Sequence, residues 1–326
     1  MRTSRLLVAA GLAAVVTAPF TADTPVRAAA PDLPCNTAKL IVPWGAGGGT
    51  DVIFRTVTDA ANRLGADPEL QVVNVPGQGG NKGAKEARRA KPDGCTLFAM
   101  HQSALSSYLT GRVDFHYDAF EPISLMTRTP AIYGAHPKTP YDDVNELVSY
   151  AEDNPGEVNV GATLGSTSQF WYLILADKAG VKFNYVPYDG TRERMTALLS
   201  NNIDTGEINL AAATKYISSG ELKALGITTA ERDDRIPDVP TAKEQGYDLV
   251  MGTDRGVLAP KGTPDEVVQY YADLLSKVAN DSEFQKEMRA KGTLVQYMPP
   301  ADYEAYLKRT LDDWTRIAKN VGMYQR

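Results

Sequence analysis

The chain has 326 residues, with 43% hydrophobic and 23% charged side chains and a formal net charge of −6. That composition supports a real apolar core and excludes bulk disorder, and the length suits two domains. The acidic balance argues against nucleic acid, whose phosphates need clustered Lys and Arg.

The first thirty residues read as an export signal rather than as part of the fold. Arg2 and Arg5 give a positive start. The apolar run from Leu6 to Ala18 is too short to span a bilayer, and small residues follow at Ala28, Ala29 and Ala30. The expectation is cleavage near Ala28, with a membrane anchor as the alternative. No cysteine ends the run, so no lipid anchor is expected, and no later stretch reads as a membrane span. Removing the leader takes the formal charge to about −8, because three arginines leave with one aspartate. The mature protein is expected in the periplasm, monomeric and without cofactors. Its two cysteines, Cys35 and Cys95, suggest a disulfide in an oxidising compartment; two buried thiols are the alternative.

Next come alternating strands and helices. Residues 39–43 form a strand that ends in the glycine-rich turn Gly45 to Gly49, and Thr50 and Asp51 open a helix running to Leu64. Residues 70–75 form a second strand. A second turn follows, Pro76 to Gly80, with a helix to Ala90 and a strand over 96–100. This β-α-β-α-β order predicts a parallel sheet with helices on its faces. Further on, a helix is predicted over 141–153, a strand over 158–162, and a polar turn over 165–168 opening a helix to Ala179. Residues 183–187, 205–210 and 223–228 read as strands and 192–200 as a helix. The tail is helical over 264–280, 282–291 and 300–320. Crossings near Thr129-Pro130 and over 251–260 predict two lobes: residues 31–128 with 254–326, and residues 129–253.

The glycines carry the chemistry. Each sits where a strand ends and a helix begins, where the first helical N–H groups have no intrahelical acceptor and the helix dipole is positive. Two such turns at one sheet edge make a crevice suited to a carboxylate or phosphate; a purely structural role is the alternative. The first turn lacks the G-x-G-x-x-G spacing, and no G-x-x-x-x-G-K-[ST] or G-x-S-x-G is present. His101, His116 and His136 are the only histidines and make no metal pair. His101 follows a strand and could line the crevice or serve as a satisfied neighbour.

The segments Ile41 to Trp44 and Gly47 to Asp51 resemble the first motif of the tripartite tricarboxylate transporter receptor family, also called the Bug family. Asn74 to Asn81 resembles its second motif and Lys91 to Leu97 its third. Gly165-Ser166, Val186 to Gly190, Pro237 to Thr241 and Ala259 to Pro264 fall in the family's order. The resemblance spans essentially the whole mature chain. It implies a bilobal periplasmic-binding-protein fold of the second type, an α/β fold with two parallel or mixed sheets flanked by helices and a ligand cleft between lobes. It implies a small organic carboxylate as ligand and a membrane permease as partner. It assigns Trp44, Gly47, Gly48, Gly49 and Asp51 to the first ligand turn and Gly77, Gly79 and Gly80 to the second, with Ser166, Thr167, Gln169 and Tyr188 offered from the other lobe.

The departures from the family pattern are informative. Trp44 stands where Phe is usual, as a larger wall or a core residue. Gln169 replaces a common His, Asp189 a common Lys and Cys95 a common Tyr. Asp254 and Arg255 replace an aromatic pair. Losing cations at 169 and 189 weakens a tricarboxylate reading. Arg255 could pair with a distal acid group of the ligand or with Asp254 at the hinge. A secreted enzyme on the same crevice, or a sensory protein presenting its ligand to a membrane receptor, are the alternatives to transport.

Overall fold

The computed structural model describes residues 31–188 and 190–326. The expected signal segment, residues 1–30, and Asp189 lie outside the described residues. The first elements are β1 (Thr37–Val42), α1 (Gly49–Arg63), β2 (Glu69–Asn74), α2 (Asn81–Arg89), β3 (Thr96–His101), α3 (Ser103–Leu109) and β4 (Phe120–Ala135). Then come α4 (Val144–Asp153), β5 (Asn159–Ala162), α5 (Thr167–Ala179), β6 (Asn184–Pro187), α6 (Thr191–Leu199), β7 (Thr205–Asn209), α7 (Leu210–Ser218) and β8 (Lys223–Ile227). The chain finishes with β9 (Gly252–Pro260), α8 (Asp265–Asn280), α9 (Ser282–Ala290), β10 (Leu294–Met298) and α10 (Pro300–Asn320).

The strands follow the order β2-β1-β3-β9-β4-β7-β5-β6, with β8 and β10 also paired to β4. The predicted parallel unit forms: β1 lies between β2 and β3, parallel to both. Its side chains alternate as a pleated strand requires. Leu40 and Val42 pack with Ile53, Phe54 and Val57 of α1, while Ile41 joins Ala84 and Ala87 of α2. Both faces are covered, which is why this strand reads as a continuous apolar run.

β4 is the strand on which the architecture turns. Its first part, to Pro130, pairs antiparallel with β9, and Ala131 to Ala135 pairs with β7 and β8. One strand therefore belongs to two groups, β2-β1-β3-β9 and β7-β5-β6. The two stretches expected as crossings are thus long, paired strands, with Thr129 opposite Thr253 and Pro130 opposite Gly252. Pro130 reads as a crossing because proline cannot donate to a ladder. The structure accommodates Pro122 beside a register shift between Pro122 and Ser124, and Pro130 where β4 changes partners.

The groups also meet through helices. α5 is buried on nearly every side from Thr167 to Leu173, as an apolar helix without a polar face must be. Phe170 of α5 stacks on Trp314 of α10 at 4.5 Å, and Trp171 meets the same indole edge-on at 5.6 Å. Such aromatic pairs contribute about 1 kcal/mol each beyond their buried area.

The disulfide forms. Cys35 and Cys95 are bonded with Cα atoms 6.0 Å apart, just ahead of the paired starts of β1 and β3. The bridge closes a loop of 60 residues, which by chain entropy is worth up to about 4 kcal/mol. We expect Cys35→Ser with Cys95→Ser to lower the melting temperature by up to about 10 °C. A double variant that melts within a degree of the oxidised protein would refute this.

Candidate functional site

The crevice is assembled from strand ends. β1 runs into the first turn, and Gly47 there takes φ +76°. Its N–H donates to Asp51 Oδ2 at 2.8 Å, and the N–H of Gly48 donates to the Gly45 carbonyl at 3.2 Å. These two amides are therefore used by the turn itself. The first N–H groups of α1, at Gly49 and Thr50, lack an intrahelical acceptor. Asp51 is buried and belongs to the scaffold. Its Oδ1 accepts from Asn74 at 2.8 Å, and Arg55 pairs with it at 3.0 Å. Burial pushes its pKa up, but the hydrogen bonds from Arg55, Gly47 and Asn74 outweigh this and leave it lowered. Asn74 also donates to the Trp44 carbonyl at 3.0 Å, locking the end of β2 to the first turn.

The second turn is a run of positive φ at Gly77, Gln78, Gly79 and Gly80. Glycine at position 80 serves close approach as well: a Cβ there would lie 3.1 Å from the Trp44 ring. The two turns are thus neighbours, with the Trp44 indole between them. Trp44 stacks on the His101 imidazole at 4.9 Å, and its Nε1–H is buried without an acceptor. The free space beneath it, among Gly79, Gly80, His101 and Ser103, is about 10 Å3, marginal for one water. Trp44 therefore fills the space between the two turns.

His101 ends β3 and is only 8% exposed. Its Nδ1 lies 2.8 Å from the Ser103 hydroxyl. Burial, aided by the Arg255 charge, depresses its pKa to about 3, so the folded protein holds it neutral. Below its ordinary value of 6.5 the unfolded chain takes up a proton that the native ring refuses. Stability is therefore lost as pH falls from about 6.5 towards 3, at about 1.4 kcal/mol per unit. We expect His101→Gln to remove this slope. Urea midpoints of both proteins at pH 7 and pH 5 check it, and parallel curves would refute it.

Arg255 stands opposite His101 in the β3–β9 pairing. It is 7% exposed. Its Nε donates to Thr50 Oγ1 at 3.2 Å, and Nη1 donates to Thr129 Oγ1 at 2.7 Å and to the Thr253 carbonyl at 3.2 Å. Burial lowers its pKa to about 10 against the opposing pull of Glu207 and Asp254. It forms no ion pair with Asp254, because adjacent strand residues point to opposite faces. Asp254 is instead held by Arg128, at 2.5 and 2.6 Å, and by the Tyr306 hydroxyl.

The third turn leads into α5. Gly165 donates its N–H to Gln169 Oε1 at 2.6 Å, and the Thr163 N–H donates to Ser168 Oγ at 3.0 Å. Ser166 Oγ donates to the Thr163 carbonyl at 2.8 Å. Ser166 and Gln169 thus shape this turn, and Thr167 begins the helix behind it. Two residues absent from the sequence reading draw the turn against the others. Ser106 Oγ of α3 donates to the Gly165 carbonyl at 2.6 Å, and Arg112 Nη2 donates to the Leu164 carbonyl at 2.8 Å. The same guanidinium reaches the second turn, its Nη1 3.2 Å from where a Cβ of Gly79 would stand. Tyr188 is half-buried, its ring 3.5 Å from where a Cβ of Gly161 would stand on β5. The Asp189 expectation falls outside the described residues.

Residues 53–323 match the family described as "Tripartite tricarboxylate transporter family receptor". The chain belongs to this receptor family. The family resemblance carried by the seven motifs is borne out, and the receptor is a solute-binding protein rather than an enzyme. It is 29% identical over 99% of its length to a protein of Cupriavidus necator named for the gbd 5′ region, of which it covers 99%. Protein BugT of Bordetella pertussis is 27% identical over 99% of both chains. Among solved structures, periplasmic binding protein BugD is 30% identical with a TM-score of 0.76, across 89% of this chain and 99% of that one. MatC from Rhodopseudomonas palustris, solved with malate, is 29% identical with a TM-score of 0.76, across 87% and 99%. An R. palustris protein solved with adipate is 25% identical with a TM-score of 0.79, across 89% and 99%. The receptor therefore has the α/β fold of periplasmic binding proteins, as expected.

Proposed function

We propose that this receptor captures a small organic acid where the three turns meet and delivers it to the membrane permease of a tripartite transporter, acting in the periplasm as a monomer. The observation that carries the reading is the convergence of helix starts with a buried cation: the first and second turns touch through Trp44 and Gly80, Arg112 links the second to the third, and Arg255 sits beside Gly49. Free amides at a helix start hold an anion by hydrogen bond and dipole together. The malate and adipate held by related structures support an acid as ligand.

Residues 31–128 with 254–326 form one lobe and residues 129–253 the other, joined at β4 and β9. The acid docks on the amides of the first lobe. Closure brings up the third turn, and the contacts of Ser106 and Arg112 with it hold the lobes together. A thermal-shift screen of carboxylates, sugars and metal cations tests the reading. Upward shifts with a subset of the acids are expected. Shifts with sugars or cations and none with any acid would overturn it.

A further inference from the structure

We propose that the receptor carries a second binding site outside the crevice: a basic groove along α2 that takes an acidic, extended segment of a partner protein. The cations of this groove take no part in the crevice, so its failure and that of the organic-acid reading are distinguishable.

The groove follows from how α2 is built. Gly83, Ala84 and Ala87 are buried, and a Cβ on Gly83 would stand 2.8 Å from Pro43. These small residues let the helix lie close on the sheet, where Ala84 and Ala87 join Ile41 of β1. Lys82, Lys85, Glu86 and Arg89 recur at helical spacing and share another face. That face lines a groove of about 580 Å3, with Lys39 and Ile41 of β1 and Thr96 of β3 completing it.

Four cations, Lys39, Lys82, Lys85 and Arg89, stand there against one acid, Glu86. This local surplus of three positive charges sits on a chain of net charge −6. Among the described residues none of the four makes an ion pair. Arg88 of the same helix, by contrast, pairs with Asp114 at 3.3 Å and lies 4.6 Å from the centre of the Phe115 ring. Lys85 has Lys82 three residues before it and Arg89 four after it, and like charges at these spacings destabilise a helix. An acidic partner turns that repulsion into attraction.

The shape selects the occupant. The nine residues of α2 span about 13 Å, the length of about four residues of extended chain. The charges are strung along this length rather than gathered at a point, which suits successive carboxylates on a polypeptide and not one small anion. A flat lipid surface does not enter a concave groove that has Ile41 in its lining. One end of the groove lies at the second turn. Lys85 Nζ donates to Gln78 Oε1 at 3.4 Å, and the Lys82 stem is 3.5 Å from where a Cβ of Gly77 would stand. A docked segment thus reaches the turn that edges the crevice.

Fluorescence anisotropy of labelled hexaglutamate and hexaglutamine with the receptor tests this. Hexaglutamate is expected to bind and hexaglutamine not. The affinity is expected to fall between about 0.01 and 0.15 M salt, as the Debye length shrinks from about 30 to about 8 Å. Lys39→Gln, Lys85→Gln and Arg89→Gln together are expected to weaken hexaglutamate by about 10-fold, the worth of three exposed charge contacts. Lys178→Gln, Lys243→Gln and Lys277→Gln together remove the same charge from exposed positions elsewhere and are expected to leave the affinity within about twofold. Equal binding of the two peptides, binding of neither, or an equal loss in both triple variants overturns the proposal. Phosphatidylglycerol vesicles or pyrophosphate bound through the same three residues, with no binding of hexaglutamate, overturn it and give the groove to a lipid surface or a small anion. If the groove triple does not fold, the exposed Arg89→Glu decides the matter on the same criterion. The thermal-shift screen of acids is independent of each of these outcomes.

Discussion

Replacing Asp254 by alanine is expected to cost the receptor about 5 kcal/mol, the upper end for breaking a buried ion pair. Asp254 is 3% exposed. Its two oxygens take both forks of Arg128, the Tyr306 hydroxyl also donates to it, and its own backbone N–H donates to Gln102 Oε1 at 2.9 Å. Arg128 is on β4, Asp254 on β9 and Tyr306 on α10, so the cluster pins the C-terminal helix to the two strands that pass between the groups. Removing the carboxylate strands a guanidinium and a buried phenol together, and burial has already pushed the Tyr306 pKa up. Arg128 answers the same carboxylate with a raised pKa despite its own burial. Urea unfolding of Asp254→Ala checks the value, with Asp254→Asn expected to fall between. A loss below about 1 kcal/mol would show that the cluster is dispensable.

Gly165→Val is expected to weaken capture of an acid by about 100-fold while the protein stays folded. Gly165 takes φ +67°, where a β-branched residue is strained. Its Cβ would fall on the Arg112 guanidinium. That side chain can swing aside, so the core is spared. What is lost is the bridge from the second turn to the Leu164 carbonyl and, beside it, the register of the Ser106 bond to Gly165. Calorimetry with the tightest acid, together with small-angle scattering with and without it, reads affinity and closure separately. A variant that binds within threefold of wild type would remove the third turn from the mechanism.

The three turns were legible because their chemistry is local. A strand end, a glycine cluster and a helix start lie within a few residues of one another, and the availability of N–H groups follows from helix geometry alone. The pairing of Cys35 with Cys95 could be anticipated from an even count and an export signal, with their neighbouring strands in support. The polar side chains were less legible. Asp51, Ser166 and Gln169 are chemically suited to a ligand, yet each is spent on its own turn. A short polar side chain can bond its own backbone or a ligand equally well, and composition does not distinguish the two.

What the amino-acid order determined alone was the strand-turn-helix rhythm, the glycine turns and, through their motifs, the receptor family. Tertiary structure alone decided how charge is distributed in the crevice. Arg255 meets Thr50 across 205 positions of chain, Arg128 meets Asp254 across 126, and Arg112 meets Leu164 across 52. Whether an arginine is matched or left bare depends on which strands β4 and β9 bring together. The stretches near Thr129-Pro130 and over 251–260 read as proline-marked crossings between lobes, and the structure shows them instead as paired strands, with Pro130 where β4 changes partners. Local sequence sets which amides are free, whereas the electrostatics of a cleft depend on neighbours that only the fold supplies.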